Sequence, residues 1–156
     1  MKHPAPPSHL REITRRILAR FIVVPRHRTW AVDAYDEEQH TLSAWSAGIA
    51  MATWSPDPYL PEWGSSLAYH LTAHTMATVA THRYVVTASL DGEHAAISVL
   101  ALRGRIHGRL APSEEPVVQA LSRKAGNIPL LAGPLVYAVI GLPTPGPLPP
   151  PQSEPG

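Results

Sequence analysis

The chain reads as an α+β protein: a two-layer sandwich in which one mixed, mostly antiparallel sheet carries its helices on a single face. Three observations predict it. Asp91-Gly92 separates two strand-like runs, Tyr84 to Leu90 and Ala95 to Leu102, and a pair of that kind supplies the positive φ of a tight hairpin. A helix-like stretch without charge, Ser65 to about His82, runs directly into that hairpin. A second hairpin, Ile128 to Leu131 and Leu135 to Ile140 joined through Ala132-Gly133-Pro134, closes the order strand, helix, helix, strand, strand, helix, strand, strand.

The hairpin dictates the layering. In its first strand Tyr84, Val86, Ala88 and Leu90 share one face, and Val85, Thr87 and Ser89 share the other. The apolar face needs a cover, and the uncharged helix before it is the candidate. Its expected apolar stripe is Tyr69, Ala73, Met76 and Ala80 beside Leu67 and Leu71, with Ala73, Ala77 and Ala80 small enough for close approach to the sheet.

Earlier in the chain, residues 1 to 8 are proline-rich. Ser8 is placed to cap a helix with an apolar stripe of Leu10, Ile13, Ile17, Leu18 and Phe21, while Arg11, Arg15, Arg16 and Arg20 lie largely off it. That arginine face reads as solvated. The run Arg20 to Val24 before Pro25, with its isoleucine and two valines, reads as an alternative, an edge strand. Asp36, Glu37 and Glu38 then start a helix at the end where its dipole is positive, with Leu42, Trp45 and Ile49 at helical spacing as its buried residues. The proline-broken connection after it carries Trp54, Tyr59 and Trp63, expected to seal the ends of two helices.

After the first hairpin, Arg103 to Arg109 is a basic connection with two glycines, read as a surface loop. Ser113 to Gly126 is punctuated as a helix: Ser113 caps, Glu114 and Glu115 fill the first turn, Arg123 and Lys124 the last, and Gly126 stops it. The chain divides into a start of residues 1–20, one domain over 21–142, and a proline-rich tail over 143–156.

Bulk composition narrows the function classes. The 156 residues suffice for one domain. Without cysteine there is no disulfide, thiolate metal site or cysteine nucleophile. Thirteen cations against twelve carboxylates leave a net charge of +1, which argues against nucleic acid as the chief partner, although seven of the cations precede Thr29. No secretory signal and no membrane-length apolar window is read, so a cytoplasmic protein is expected. His70 and His74, four apart on one helix face, have the spacing of two metal ligands, but no acidic residue in that helix completes a site, and no metal is expected. Ser89, Ser98 and Ser122 have no nucleophile-elbow context.

Between about Phe21 and Pro143 the chain resembles the small anti-sigma-factor serine kinases of the histidine-kinase-like (Hsp90- and gyrase-type) ATPase superfamily. Leu71 to His82 is similar to the family's ATP-site helix, the hairpin at Asp91-Gly92 to its central strands, and Val117 to Gly126 followed by Gly133 to Ile140 to its last helix and closing strand. The resemblance implies the histidine-kinase-like ATPase fold, regulation of transcription, a sigma factor or its antagonist as partner, and dimerisation.

It also implies an ATP site, and here the residues depart from it. His74 stands in place of the activating Glu, and Thr78 in place of the magnesium-binding Asn. Ala101 marks the missing adenine-reading Asp. Pro112 and Glu114 replace glycines whose N–H groups would cradle phosphate, and Leu135 stands for a threonine. Two carboxylates at a phosphate-binding helix start would repel a triphosphate. The expectation is therefore a pseudokinase-like regulatory protein that acts by protein contact with no cofactor. The alternative is an active serine/threonine kinase using ATP and magnesium.

Overall fold

The computed structural model describes residues 26–92 and 94–141. The amphipathic start, the first-strand reading at Arg20 to Val24 and the proline-rich tail lie outside them. Five strands form one sheet in the order β1-β3-β4-β7-β6: β1 Arg26–Asp33, β3 Arg83–Asp91, β4 His94–Ala101, β6 Ser122–Leu130 and β7 Gly133–Ile140. A two-residue pair, β2 Val79–Ala80 and β5 Arg105–Ile106, stands apart. The α+β layering is as expected, with one correction: every pairing in the five-stranded sheet is antiparallel, not mixed.

Two long helices, α1 Glu37–Trp54 and α2 Leu60–Thr78, cover one face of the sheet, with the short α3 Pro116–Leu121 against α2. The covered face carries Tyr84, Val86, Ala88, Ile97, Val99, Ala101, Val136 and Ala138, all buried, which is the face the alternation in β3 selects. Each buried valine or larger aliphatic there contributes about 1.5–3 kcal/mol. The opposite face is crossed by an apolar row, Ala31, Val85, Leu100, Leu135 and Ile128, paired strand to strand.

The start of α1 follows from its sequence. The Asp36 carboxylate accepts the Gln39 N–H at 3.0 Å, and the Gln39 side-chain oxygen reaches back to the Asp33 N–H at 2.7 Å, so one reciprocal cap ties the helix to the end of β1. Its interior overturns the expectation. Leu42, Trp45 and Ile49 are exposed, and Ala44, Ala47, Gly48, Ala50 and Met51 face inward. The reason is the closeness of the neighbouring helix: a Cβ on Gly48 would lie 2.7 Å from the Pro61 carbonyl oxygen, so only small side chains fit between α1 and α2.

α2 begins five residues before its expected start and ends at Thr78 rather than His82. Pro61 lies in its first turn, where the missing N–H costs nothing. At the other end Val79 and Ala80 turn extended to pair with β5. The stripe also differs: Leu67 and Leu71 are buried as expected, but Tyr69 and Ala80 are exposed, and Thr72, Thr75 and Thr78 are buried instead. Thr75 and Thr78 donate their hydroxyls to the carbonyls of Leu71 and His74, each at 2.8 Å, and so enter the core with their polarity satisfied. Trp54 and Trp63 pack against the core as expected, and Tyr59 stacks on Trp63 from an exposed position.

Both hairpins form, each displaced along the chain. Asp91 pairs with His94, so Asp91 is the last strand residue and Gly92, at φ +56°, enters the turn. In the second, Leu130 pairs with Gly133, and Leu131-Ala132 make the turn. The helix expected over Ser113 to Gly126 is largely replaced. A 3₁₀ turn, Pro112–Glu114, precedes α3, which the Glu115 carboxylate caps by accepting the Val118 N–H at 2.8 Å. Arg123, Lys124 and Gly126 belong to β6, an edge strand bearing a register shift between Ser122 and Lys124. Pairing with β7 outweighs the local helix signals in that stretch.

Candidate functional site

The last two turns of α2 place His74 and Thr78 one above the other on one helix face. The chain segment that follows β4 lies directly against them. Leu102 donates its N–H to the Arg83 carbonyl at 3.1 Å, Arg103 to Ala132 at 2.7 Å, and Gly104 to Ala101 at 3.0 Å. β5 then pairs with β2. His107 and Gly108 both direct their N–H groups at the Thr78 carbonyl, at 2.9 and 3.3 Å. Ala111 directs its own at His74 Nε2, at 3.2 Å.

Packing closes what the hydrogen bonds hold. A Cβ on Gly104 would meet Val79 at 2.6 Å and Ala101 at 2.8 Å, so the segment sits on the helix and the strand end without a gap. Pro112 is buried at its exit. The basic connection read as a surface loop is exposed in its side chains but pinned through its backbone. The space beside His74 and Thr78 is thus filled by the protein's own residues 104 to 111.

Four of the six sequence-selected positions, His74, Thr78, Ala101 and Pro112, meet around this segment. Glu114 is exposed and pairs with Arg109 at 2.6 Å, closing the outer side of the same segment. Leu135 is elsewhere: it pairs with Leu100 and Ile128 in the row on the uncovered sheet face. Sequence reasoning placed Glu115 in the first turn and the cap at Ser113, whereas Glu115 itself caps α3 and stands 3.8 Å from the His70 imidazole. The signal was present in Pro116, whose place is the first turn of a helix and makes the residue before it the cap.

The His74 Nε2 and the Thr78 hydroxyl are both engaged within the protein. Burial holds the His74 pKa below its ordinary value, against an opposite pull from Glu115. Accepting the Ala111 N–H likewise requires Nε2 to be unprotonated. Thr78 spends its hydroxyl hydrogen on the His74 carbonyl. Among the described residues no group of three or more histidine or carboxylate side chains is arranged to hold a metal, and no helix is long and apolar enough to cross a membrane.

Neither the protein-family models nor the curated proteins contain a match to this chain.

A second feature lies on the neighbouring flank of α2. Ala73, Met76 and Ala77 floor an open cleft of about 1530 Å³ that also takes in Asp33, Tyr35 and Arg103. His74 and Thr78 do not line it. Tyr35, at φ +69°, and Arg103, at φ +51°, are the two non-glycine residues with left-handed backbone among the described residues, and both stand at this cleft. Asp33 and Arg83, register partners at the ends of β1 and β3, pair on its wall at 3.0 Å. Deeper in, the Tyr84 hydroxyl donates to the Val79 carbonyl at 2.6 Å, and burial raises its pKa above the ordinary value. The two flanks of α2 therefore differ in kind: one is sealed by backbone, the other is open.

Proposed function

We propose that this chain is a regulatory protein that acts by protein–protein contact on a histidine-kinase-like ATPase scaffold, and that it is deficient in nucleotide binding. The single observation carrying the reading is the segment 104 to 111, whose His107, Gly108 and Ala111 amides bond the Thr78 carbonyl and the His74 ring. In the family that the sequence resembles, those two helix positions face the nucleotide. A triphosphate there would have to displace several backbone hydrogen bonds and meet the carboxylates of Glu114 and Glu115 in place of bare amides. The element order supports the same scaffold. The partner class follows from the resemblance: a sigma factor or its antagonist, met in the cytoplasm; the resemblance also allows a homodimer.

The decisive experiment is thermal unfolding of the full chain with increasing Mg·ATP. A ligand present at one hundred times its dissociation constant adds about 2.7 kcal/mol of stability. The expected result is an unchanged Tm up to millimolar Mg·ATP. A concentration-dependent rise would overturn the nucleotide-deficient reading in favour of an active serine/threonine kinase. A binding panel of the source organism's sigma factors and their antagonists tests the partner class; capture of one of them, unaffected by ATP, is expected, and silence across the panel would remove that class.

A further inference from the structure

Helix α1 is built inside out. Its small residues face the protein, and Leu42, Trp45 and Ile49 point away from it at 48, 64 and 51% exposure. With Ala52 after them they form one stripe at spacings of three, four and three. An apolar stripe this regular, with a tryptophan at its centre, marks a contact surface.

The chain itself carries a matching strip. Leu10, Ile13, Ile17, Leu18 and Phe21 repeat at helical spacing before the first described strand. Where that segment joins the fold is fixed by the structure: the Arg26 guanidinium donates to the Trp54 carbonyl, so β1 begins beside the C-terminal end of α1. Phe21 is five residues from this point, and a tether of that length spans up to about 17 Å. As a helix, Ser8 to Phe21 is about 21 Å long, against about 27 Å for α1. Lying back along α1 from Arg26, it would cover the stripe without overrunning it.

Charge favours the same placement. Arg11 and Arg15 would approach the end of α1 where Glu37 and Glu38 are exposed, while the last turn of α1 contains no basic residue to repel Arg20. We infer that residues 8 to 21 dock as an amphipathic helix on the Leu42, Trp45 and Ile49 stripe of their own chain. The proposal is independent of the nucleotide-deficient reading, since α1's outer face and the segment at His74 share no residue.

The chain's lack of cysteine gives a direct test in the full-length protein. The Leu18→Cys, Ile49→Cys double variant, oxidised at low micromolar concentration, is expected to form an intrachain disulfide at least tenfold faster than a Leu18→Cys, Ile128→Cys control, whose second cysteine is exposed on the far edge strand. Adding Arg11→Glu and Arg15→Glu to the first variant is expected to slow the reaction. Equal rates in the two pairs, or no intrachain bond in either, would overturn the docking. Disulfide-linked dimers in place of the intrachain product would assign the stripe to a second copy and overturn it equally.

Discussion

The imidazole of His74 accepts the backbone N–H of Ala111 at 3.2 Å, joining α2 to the segment that follows β5. The bond exists only while Nε2 is unprotonated. Because burial lowers the His74 pKa, the unfolded chain takes up a proton on this residue at a higher pH than the folded one does. The stability tied to His74 is therefore complete above about pH 6.5, the ordinary histidine value. It is lost as the pH falls from there through the lower folded-state value.

The measurable consequence is a difference between two proteins. Tm of the native chain falls between pH 7.5 and 5.0 more steeply than Tm of a His74→Gln variant, which keeps an acceptor but does not titrate. Circular dichroism melts at several pH values supply the comparison. Parallel slopes would show that His74 is not the group responsible.

Gly133 is predicted to be the least replaceable glycine. It has φ +137°, and a Cβ built on it would lie 1.9 Å from the Ala101 carbonyl oxygen and 3.0 Å from the Arg103 nitrogen. Gly133→Ala should cost about 4 kcal/mol or more, enough to prevent folding of a marginally stable domain. Gly92 provides the contrast, since it has φ +56° but nothing within 4 Å of an added Cβ. Gly92→Ala should cost only about 1–2 kcal/mol, the backbone penalty alone. Urea midpoints of the two variants give the ranking.

Thr72 is fully buried, and its hydroxyl has no hydrogen-bond partner, unlike those of Thr75 and Thr78 on the same helix. Thr72→Val removes an unsatisfied polar atom at nearly constant shape and should stabilise the protein by about 1 kcal/mol. Thr75→Val gives up a hydrogen bond and should gain less. Chemical denaturation of both variants measures the pair.

How much of this was legible depended on the range of the interaction concerned. The hairpin at Asp91-Gly92, the alternation through Tyr84, Val86 and Ala88, and the acidic start of α1 were readable because each is decided within a few residues. The outward stripe of α1 was not. Helical spacing identifies which residues share a face, but the 2.7 Å approach of Pro61 to Gly48 decides which face turns inward. For the same reason the polar Thr72, Thr75 and Thr78 were passed over in favour of Tyr69 and Ala80.

The candidate site divides along the same line. The reading of His74, Thr78, Ala101, Pro112 and Glu114 as departures from the pattern of the family that the sequence resembles rests on residue identity alone. That residues 104 to 111 lie over two of those positions does not, because it depends on amide bonds spanning roughly thirty residues and on the small size of Gly104. Likewise Arg123 to Gly126 carry the local marks of a helix end, and become a strand because β7 offers them a ladder of partners. Local order along the chain follows from neighbouring residues, whose torsional and capping preferences act at short range. Which surfaces are buried and which groups meet follows from the steric fit of distant segments, and that information exists only once they are packed together.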